Sequence, residues 1–478
     1  MKKILLSGGL VLTLLLGGCR DFLDINTDPD NPNDIGLDSQ FPVGQVYSTV
    51  ALGYTTQLMG SFWSQHYTMN VSTNQYNALI DYAGITTADG YMTAQWQTTY
   101  RQTIPALRGA MKVAMEQGEN YDPYVAACRI MEAFNWHILN STFDRIAYAD
   151  GQLGEENLEP KFESSEESYK VVLKLYEDIL SEYTVEDLTT KAGITATAGK
   201  DMVFDWDMEA WLKFANTVYL KMLMRDFTVN QSKIQEILSG SIGLLDEASG
   251  DAKFDHFEDS DNRSNPFYEG DRRDLNTPQN LRANTAALNF LTENEDPRIA
   301  SFYEADAEGG FSGGTFSGRA PSGASRPILE PTDPVYFASV AEAYFLKAEV
   351  YARLNDSAAA KTAYDAGVKA AFDRWGEDGS SFVADGGAYE FDSSASMEAM
   401  IEQIIVQKWI AATRCQAWDS WFDLNRTGYP TLGGMLEDHH GGFSDGYSRR
   451  YLYPQASSLY NKNTPAVEPL NSKLWWHK

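Results

Sequence analysis

The chain has 478 residues, with 38 Lys and Arg against 67 Asp and Glu, and a formal net charge of −29. This acidity excludes nucleic acid, whose phosphates require Lys/Arg patches, and excludes adsorption to anionic lipid head groups. A hydrophobic content of 43% suffices for a sizeable core, and after residue 18 no apolar run approaches the roughly 20 residues that a membrane-spanning helix needs.

Lys2 and Lys3 precede the apolar residues Ile4, Leu5, Leu6, Leu10, Val11, Leu12, Leu14, Leu15 and Leu16, and the run closes on Gly17-Gly18-Cys19. A basic head, a short apolar core and small residues before a cysteine read as a bacterial lipoprotein signal. Residues 1–18 are expected to be removed and Cys19 lipidated, which leaves 460 residues (478 − 18) and, without two lysines, a charge of −31 (−29 − 2). Several acyl chains, at about 0.8 kcal/mol per buried methylene, anchor a protein almost permanently. The function is therefore expected at a membrane surface outside the cytoplasm. Residues 19–40 read as an extended lipidated tether, since Pro29, Pro32 and a series of Asx residues favour turns. Asp24, Asn26 and Asp28 imitate a calcium loop, but Pro29 stands where its glycine belongs and Ile35 where its bidentate glutamate belongs, so the site is rejected.

Residues 41–478 read as one mainly α-helical domain with long irregular loops. Val43, Val46, Tyr47, Val50, Ala51 and Tyr54 recur at three and four residues, the period of an amphipathic helix. Helices are predicted near 87–117, interrupted by Pro105, and near 123–140. Tyr169, Val172, Leu173, Tyr176, Ile179, Leu180 and Tyr183 form a further stripe behind a capping box of Ser164 and Glu167. Trp211, Phe214, Ala215, Val218, Met222 and Leu223 form another. Over 338–374, Tyr344, Phe345 and Ala348 on one helix face the alanines 359, 363, 366 and 370 on a second across the turn Asn355-Asp356-Ser357. This arrangement is of tetratricopeptide type. Glu342, Lys347 and Glu349 are expected on a solvated or interhelical polar face. A last helix is predicted from Met397 to about Arg414. Stretches 228–335, 376–396 and 427–470 read as irregular, where binding residues concentrate.

No catalytic constellation is present: no nucleophile elbow, no metal-spaced His/Cys cluster and no phosphate loop. Cys128 and Cys415 read as buried free thiols. Asp259 and Asp261, near Asp255, lack the downstream ligands of a cation site, and neither metal nor cofactor is expected. Trp63, His66, Tyr67, Asn74, Tyr76 and Trp96, with Tyr82 and Tyr91, crowd a stretch broken by Gly84 and Gly90. Their positions do not keep one helical face, as core aromatics of a helix would. The first six are therefore the candidate ligand-binding residues.

Several strings resemble the SusD/RagB family of nutrient-binding outer-membrane lipoproteins, in its second, SusD-like branch. They are Cys19-Arg20-Asp21-Phe22-Leu23-Asp24-Ile25-Asn26-Thr27-Asp28-Pro29, Trp63-Ser64-Gln65-His66, Ala341-Glu342-Ala343-Tyr344-Phe345-Leu346-Lys347-Ala348-Glu349, Gln407-Lys408-Trp409-Ile410-Ala411, Arg426-Thr427-Gly428-Tyr429-Pro430, Arg449-Arg450-Tyr451-Leu452-Tyr453-Pro454-Gln455 and Leu474-Trp475-Trp476. Asp144-Arg145-Ile146-Ala147-Tyr148 departs from the family's glycine-aspartate-valine/isoleucine-proline-tyrosine string, which should alter a turn rather than the fold. The resemblance implies a SusD-like fold of tetratricopeptide-like helix pairs with long ligand-binding loops. It also implies a non-enzymatic, surface-exposed receptor, lipid-anchored in the cell outer membrane, that captures oligosaccharides or peptides for a SusC-like TonB-dependent transporter. The rival readings are a surface glycoside hydrolase and a ligand-free structural partner of the transporter.

Overall fold

The computed structural model describes residues 36–81, 85–316, 318–432 and 447–478. Cys19, the tether up to residue 35, Tyr82 and Gly84 lie outside the described residues. The first helix, α1 (Leu37–Gly53), forms where the period predicts it, but its apolar stripe faces solvent: Val43, Val46 and Val50 are 42%, 38% and 43% exposed. The buried residues are Leu37, Phe41, Gly44, Gln45, Ser48, Thr49, Ala51, Leu52 and Gly53, so that of the predicted stripe only Ala51 is buried. Close approach explains the reversal, because a Cβ on Gly44 would stand 2.5 Å from Leu107 Cδ2. Only small residues admit that neighbour. Their hydroxyls are satisfied locally, with Ser48 donating to Gly44 O and Thr49 to Gln45 O, each at 2.8 Å.

α2 (Thr55–Trp63) is buried throughout and feeds β1 (Tyr67–Met69). The helical text of 87–117 becomes α3 (Gly90–Thr98) and α4 (Ile104–Gln117), joined by a π-helical turn, Thr99–Thr103. Pro105 is the cause: it has no N–H for a carbonyl four residues back, and Ile104 N–H donates instead to Thr99 O. α5 (Asp122–Phe143) packs between α4 and α6 (Ser165–Glu182). Both bonds of the Ser164–Glu167 capping box are present, at 3.2 and 3.0 Å. α7 (Val185–Thr195) leads to α8 (Met208–Leu223), which Asp207 caps.

Helices arise where irregular structure was expected, the longest among the described residues being α9 (Phe227–Ser239), capped by Asp226, and α10 (Thr285–Glu293), capped by Asn284. Strands, which the sequence did not suggest, pair in two small antiparallel sheets. β1 joins β3 (Leu281–Ala283), and β2 (Ala252–Phe254) joins β4 (Val335–Ala338).

The tetratricopeptide-type pair is α11 (Val340–Arg353) and α12 (Ser357–Asp373), turned at Asn355 and capped by Asp356. A Cβ on Gly367 would lie 2.9 Å from the Phe345 ring, so small residues do face an aromatic. The buried face of α12, however, is Ala360, Ala363, Tyr364, Gly367, Val368, Ala371 and Phe372, and of the alanines 359, 363, 366 and 370 only Ala363 is buried. α13 (Met397–Ala411), α14 (Ala417–Thr427) and the short α15 (Gln455–Tyr460) complete the chain. Cys128 and Cys415 are free and buried. The Asp259 and Asp261 carboxylates are taken by Arg273, the latter at 3.0 Å.

The polar edge of α11 is interhelical, not solvated: Glu342 and Glu349 are 3% and 1% exposed. Lys221 of α8 and Lys408 of α13 pair with Glu342 and with Asp419 of α14. Lys408 also meets Asp423 at 2.7 Å, and Arg426 grips Glu349 with both terminal nitrogens at 2.7 Å. Four helices are thereby joined by charge inside the core.

Candidate functional site

Four of the six candidate ligand residues are core, which corrects the aromatic-platform reading for them. Trp63 ends α2, donates its indole N–H to Leu79 O and lies edge-on to Trp421, with ring centres 5.0 Å apart. His66 stacks on Trp409, with Thr413 Oγ1 2.9 Å from its Nδ1. Tyr67, in β1, packs between Phe267 and Tyr303. The cavity beside it, about 20 Å³, admits a water-sized sphere and no sugar. Tyr76 donates to Asp271 Oδ1 at 2.5 Å. All four are fully buried. Their irregular spacing has a plain origin: they come from a helix end, a strand and a turn, so the period changes between them. Asn74 is exposed, with its Oδ1 accepting from Asn77.

Burial lowers His66 from the ordinary 6.5 to about 3. The unfolded chain then binds a proton between pH 6.5 and 3 that the folded one refuses. Stability is full above pH 6.5 and falls by about 1.4 kcal/mol per unit below it. Urea unfolding of wild type and His66→Asn should show a stability gap that narrows at that rate on acidification. A gap independent of pH would refute the neutral, buried ring.

Trp96, half-buried, is the candidate aromatic that does face a cleft. The cleft has about 300 Å³ and is lined by Trp96, Gln97, Tyr100, Arg101, Ala147, Gly151, Leu158, Pro160, Phe162, Pro454, Ala456, Ser457, Tyr460 and Asn461. Trp96 and Gln97 lie in the last turn of α3, and the π turn that follows supplies Tyr100 and Arg101; such turns recur at functional sites. Tyr100 accepts from Ala147 N–H at 2.9 Å, and burial pushes its phenol well above the ordinary value. Trp96 stacks on Phe162 with centres 5.9 Å apart and planes 11° apart, and the Tyr100 ring centre lies 4.5 Å away, tilted by 36°. These packed neighbours hold the indole as a fixed wall of the cleft.

The open ring is Tyr460, 80% exposed on α15, opposite Leu158 at 75%. Neither was read from the sequence, because a lone Tyr in Ser-Ser-Leu-Tyr-Asn carries no periodic signal. Among the described residues no carboxylate lines the cleft. Among the described residues no cluster of His, Cys, Asp and Glu is able to hold a metal ion, and no helix is long and apolar enough to cross a membrane.

The chain is similar in structure to a chitin-binding SusD homologue from Flavobacterium johnsoniae, with 21% identity, a TM-score of 0.75, and coverage of 92% of this chain and 98% of that one. A SusD homologue from Bacteroides uniformis matches at 21% identity and TM-score 0.73, over 93% and 100% of the two chains. One from Bacteroides vulgatus matches at 19% and 0.72, over 91% and 97%. These likenesses establish a mainly α, SusD-like fold. No curated protein matches the chain significantly. The model of the SusD-like family described as starch-binding and associating with the outer membrane matches residues 44–454, and the chain belongs to that family.

Proposed function

We propose that the protein is a non-enzymatic receptor, lipid-anchored through Cys19 at the cell surface, that captures oligosaccharides in the Trp96–Tyr460 cleft and passes them to a SusC-like TonB-dependent transporter. The observation that carries the ligand site is a cleft of about 300 Å³ walled by Trp96, Tyr100 and Phe162, with an open tyrosine at its mouth. Sugar rings present flat C–H faces to such rings, and ordered aromatic walls lose little entropy on binding. Gln97, Arg101 and Ser457 supply polar partners at the edges. A glycosidase needs two carboxyl groups flanking the bond it cleaves, and the described residues lining this cleft include no carboxylate. Membership of a starch-binding, outer-membrane family and the likeness to a chitin-binding homologue point to a neutral glycan before a peptide.

Calorimetry with maltooligosaccharides and chitooligosaccharides tests the reading. Tyr460→Ala should weaken binding of the accepted oligomer at least tenfold, about 1.4 kcal/mol, with no change in melting temperature. Trp96→Ala should weaken it and also lower the melting temperature, because its ring is packed by four others. Unchanged affinity in both folded variants would move the site to the Gly-rich loop at 305–326. Release of shorter sugars would favour the hydrolase.

A further inference from the structure

α15 carries the open ring of the cleft, yet none of its residues is buried. Apolar packing therefore does not hold Tyr460 in place, and the bonds that fix this rim are polar. Asn461, 7% exposed, donates its Nδ2 to Pro160 O at 2.8 Å, and Asn463 donates its Nδ2 to Glu159 O at 2.8 Å. Two successive carbonyls of the wall that carries Leu158, Pro160 and Phe162 are thus taken by side chains that follow Tyr460 within three residues. Side chains are needed here because Pro160 has no N–H with which to pair the two segments as strands. Asn461 Oδ1 accepts from Asn463 N–H at 2.9 Å, an Asx turn that folds the second amide back beside the first. Ser457 donates to Thr464 Oγ1 at 2.8 Å, and that hydroxyl donates to Ser457 O at 2.9 Å, which closes residues 457–464 on themselves. Lys462 pairs with Glu159 on the outside, but an exposed ion pair holds little.

We infer that Asn461 and Asn463 are positioning residues of the glycan site. They clip the Tyr460 rim to the 157–162 wall, so that an oligomer meets a cleft of fixed width instead of ordering the rim as it binds. The inference rests on the cleft reading above and deepens it. The gain is entropic. Each side chain or loop that binding must immobilise costs affinity, and the two amide bonds beside the ring remove that cost when the chain folds. Tyr460 touches the ligand; the asparagines act through it.

Asn463 is the residue to change, because Asn461 lines the cleft and Asn463 does not. In calorimetry with the chitooligosaccharide or maltooligosaccharide that wild type accepts, Asn463→Ala should weaken binding about fivefold, the cost of ordering one side chain. In a Tyr460→Ala background the same substitution should have no further effect, since the clip acts through that ring. An asparagine with a merely structural role would weaken both backgrounds equally. Asn463→Asp keeps the shape but turns an acceptor toward Glu159 O, and should match Asn463→Ala. Amide exchange reads the clip without a ligand: in either variant the Ser458 and Asn461 N–H groups, bonded to Pro454 O and Ser457 O, should exchange faster than in wild type. Wild-type exchange rates, additivity of the two substitutions, or wild-type affinity in Asn463→Ala where Tyr460→Ala does weaken binding would overturn the clip and leave the cleft. Unchanged affinity in Tyr460→Ala would instead overturn the cleft reading, and with it the positioning role.

Discussion

Tyr67→Ala combined with Tyr76→Ala is expected to abolish cooperative unfolding rather than to weaken a ligand. Each ring is fully buried, and deleting a buried aromatic costs about 3–5 kcal/mol. Two such losses are comparable with the whole stability of a domain, about 5–15 kcal/mol. The lost phenol of Tyr76 also removes a hydrogen bond to the buried Asp271 carboxylate. Urea titration followed by tryptophan fluorescence reads the outcome. A double variant that unfolds at the wild-type urea concentration would show that these rings are not core.

Lys408→Met should be nearly as damaging, although it replaces a charge by an apolar side chain of similar length. Lys408 is buried among Glu342, Asp419 and Asp423, and breaking one partner of a buried ion pair costs about 3–5 kcal/mol because the others are left uncompensated. Adding Asp419→Asn should restore part of the loss, which a double-mutant cycle measures as a coupling energy. Simple additivity of the two substitutions would refute the network.

The same network sets an acid limit. Desolvation alone would raise the Glu349 carboxyl, but the Arg426 and Arg353 guanidiniums outweigh it and hold it at about 2. With the folded value below the unfolded 4.5, its contribution is full above pH 4.5 and is lost as the pH falls toward 2.

Helix starts were legible in the chain because caps and periods are local. Ser164 with Glu167, and the Asn355-Asp356 turn of the α11–α12 pair, act within a few residues of themselves. α9 and α10 escaped notice because each buries only two or three apolar positions among polar text, so their stripes are faint. Pro105 was legible as an interruption, but not as a π turn that carries Tyr100 and Arg101 into a cleft. Trp96 was found by aromatic crowding. That signal brought four core residues with it, since it does not distinguish a ring that packs from a ring that binds.

The sequence by itself determined the mainly α composition, the capping box at Ser164 and Glu167, the paired helices at 340–373, the two buried thiols and the family. These rest on neighbours in the chain or on strings shared with relatives. Tertiary structure alone decided which side of α1 is buried, that Glu342 and Glu349 sit inside a charge network, and that Trp96, Phe162 and Tyr460 meet. Burial depends on what surface arrives opposite a residue, and those surfaces come from segments tens to hundreds of residues away. The valines of α1 have the period of a buried stripe, but Leu107 fits against Gly44 and turns them outward.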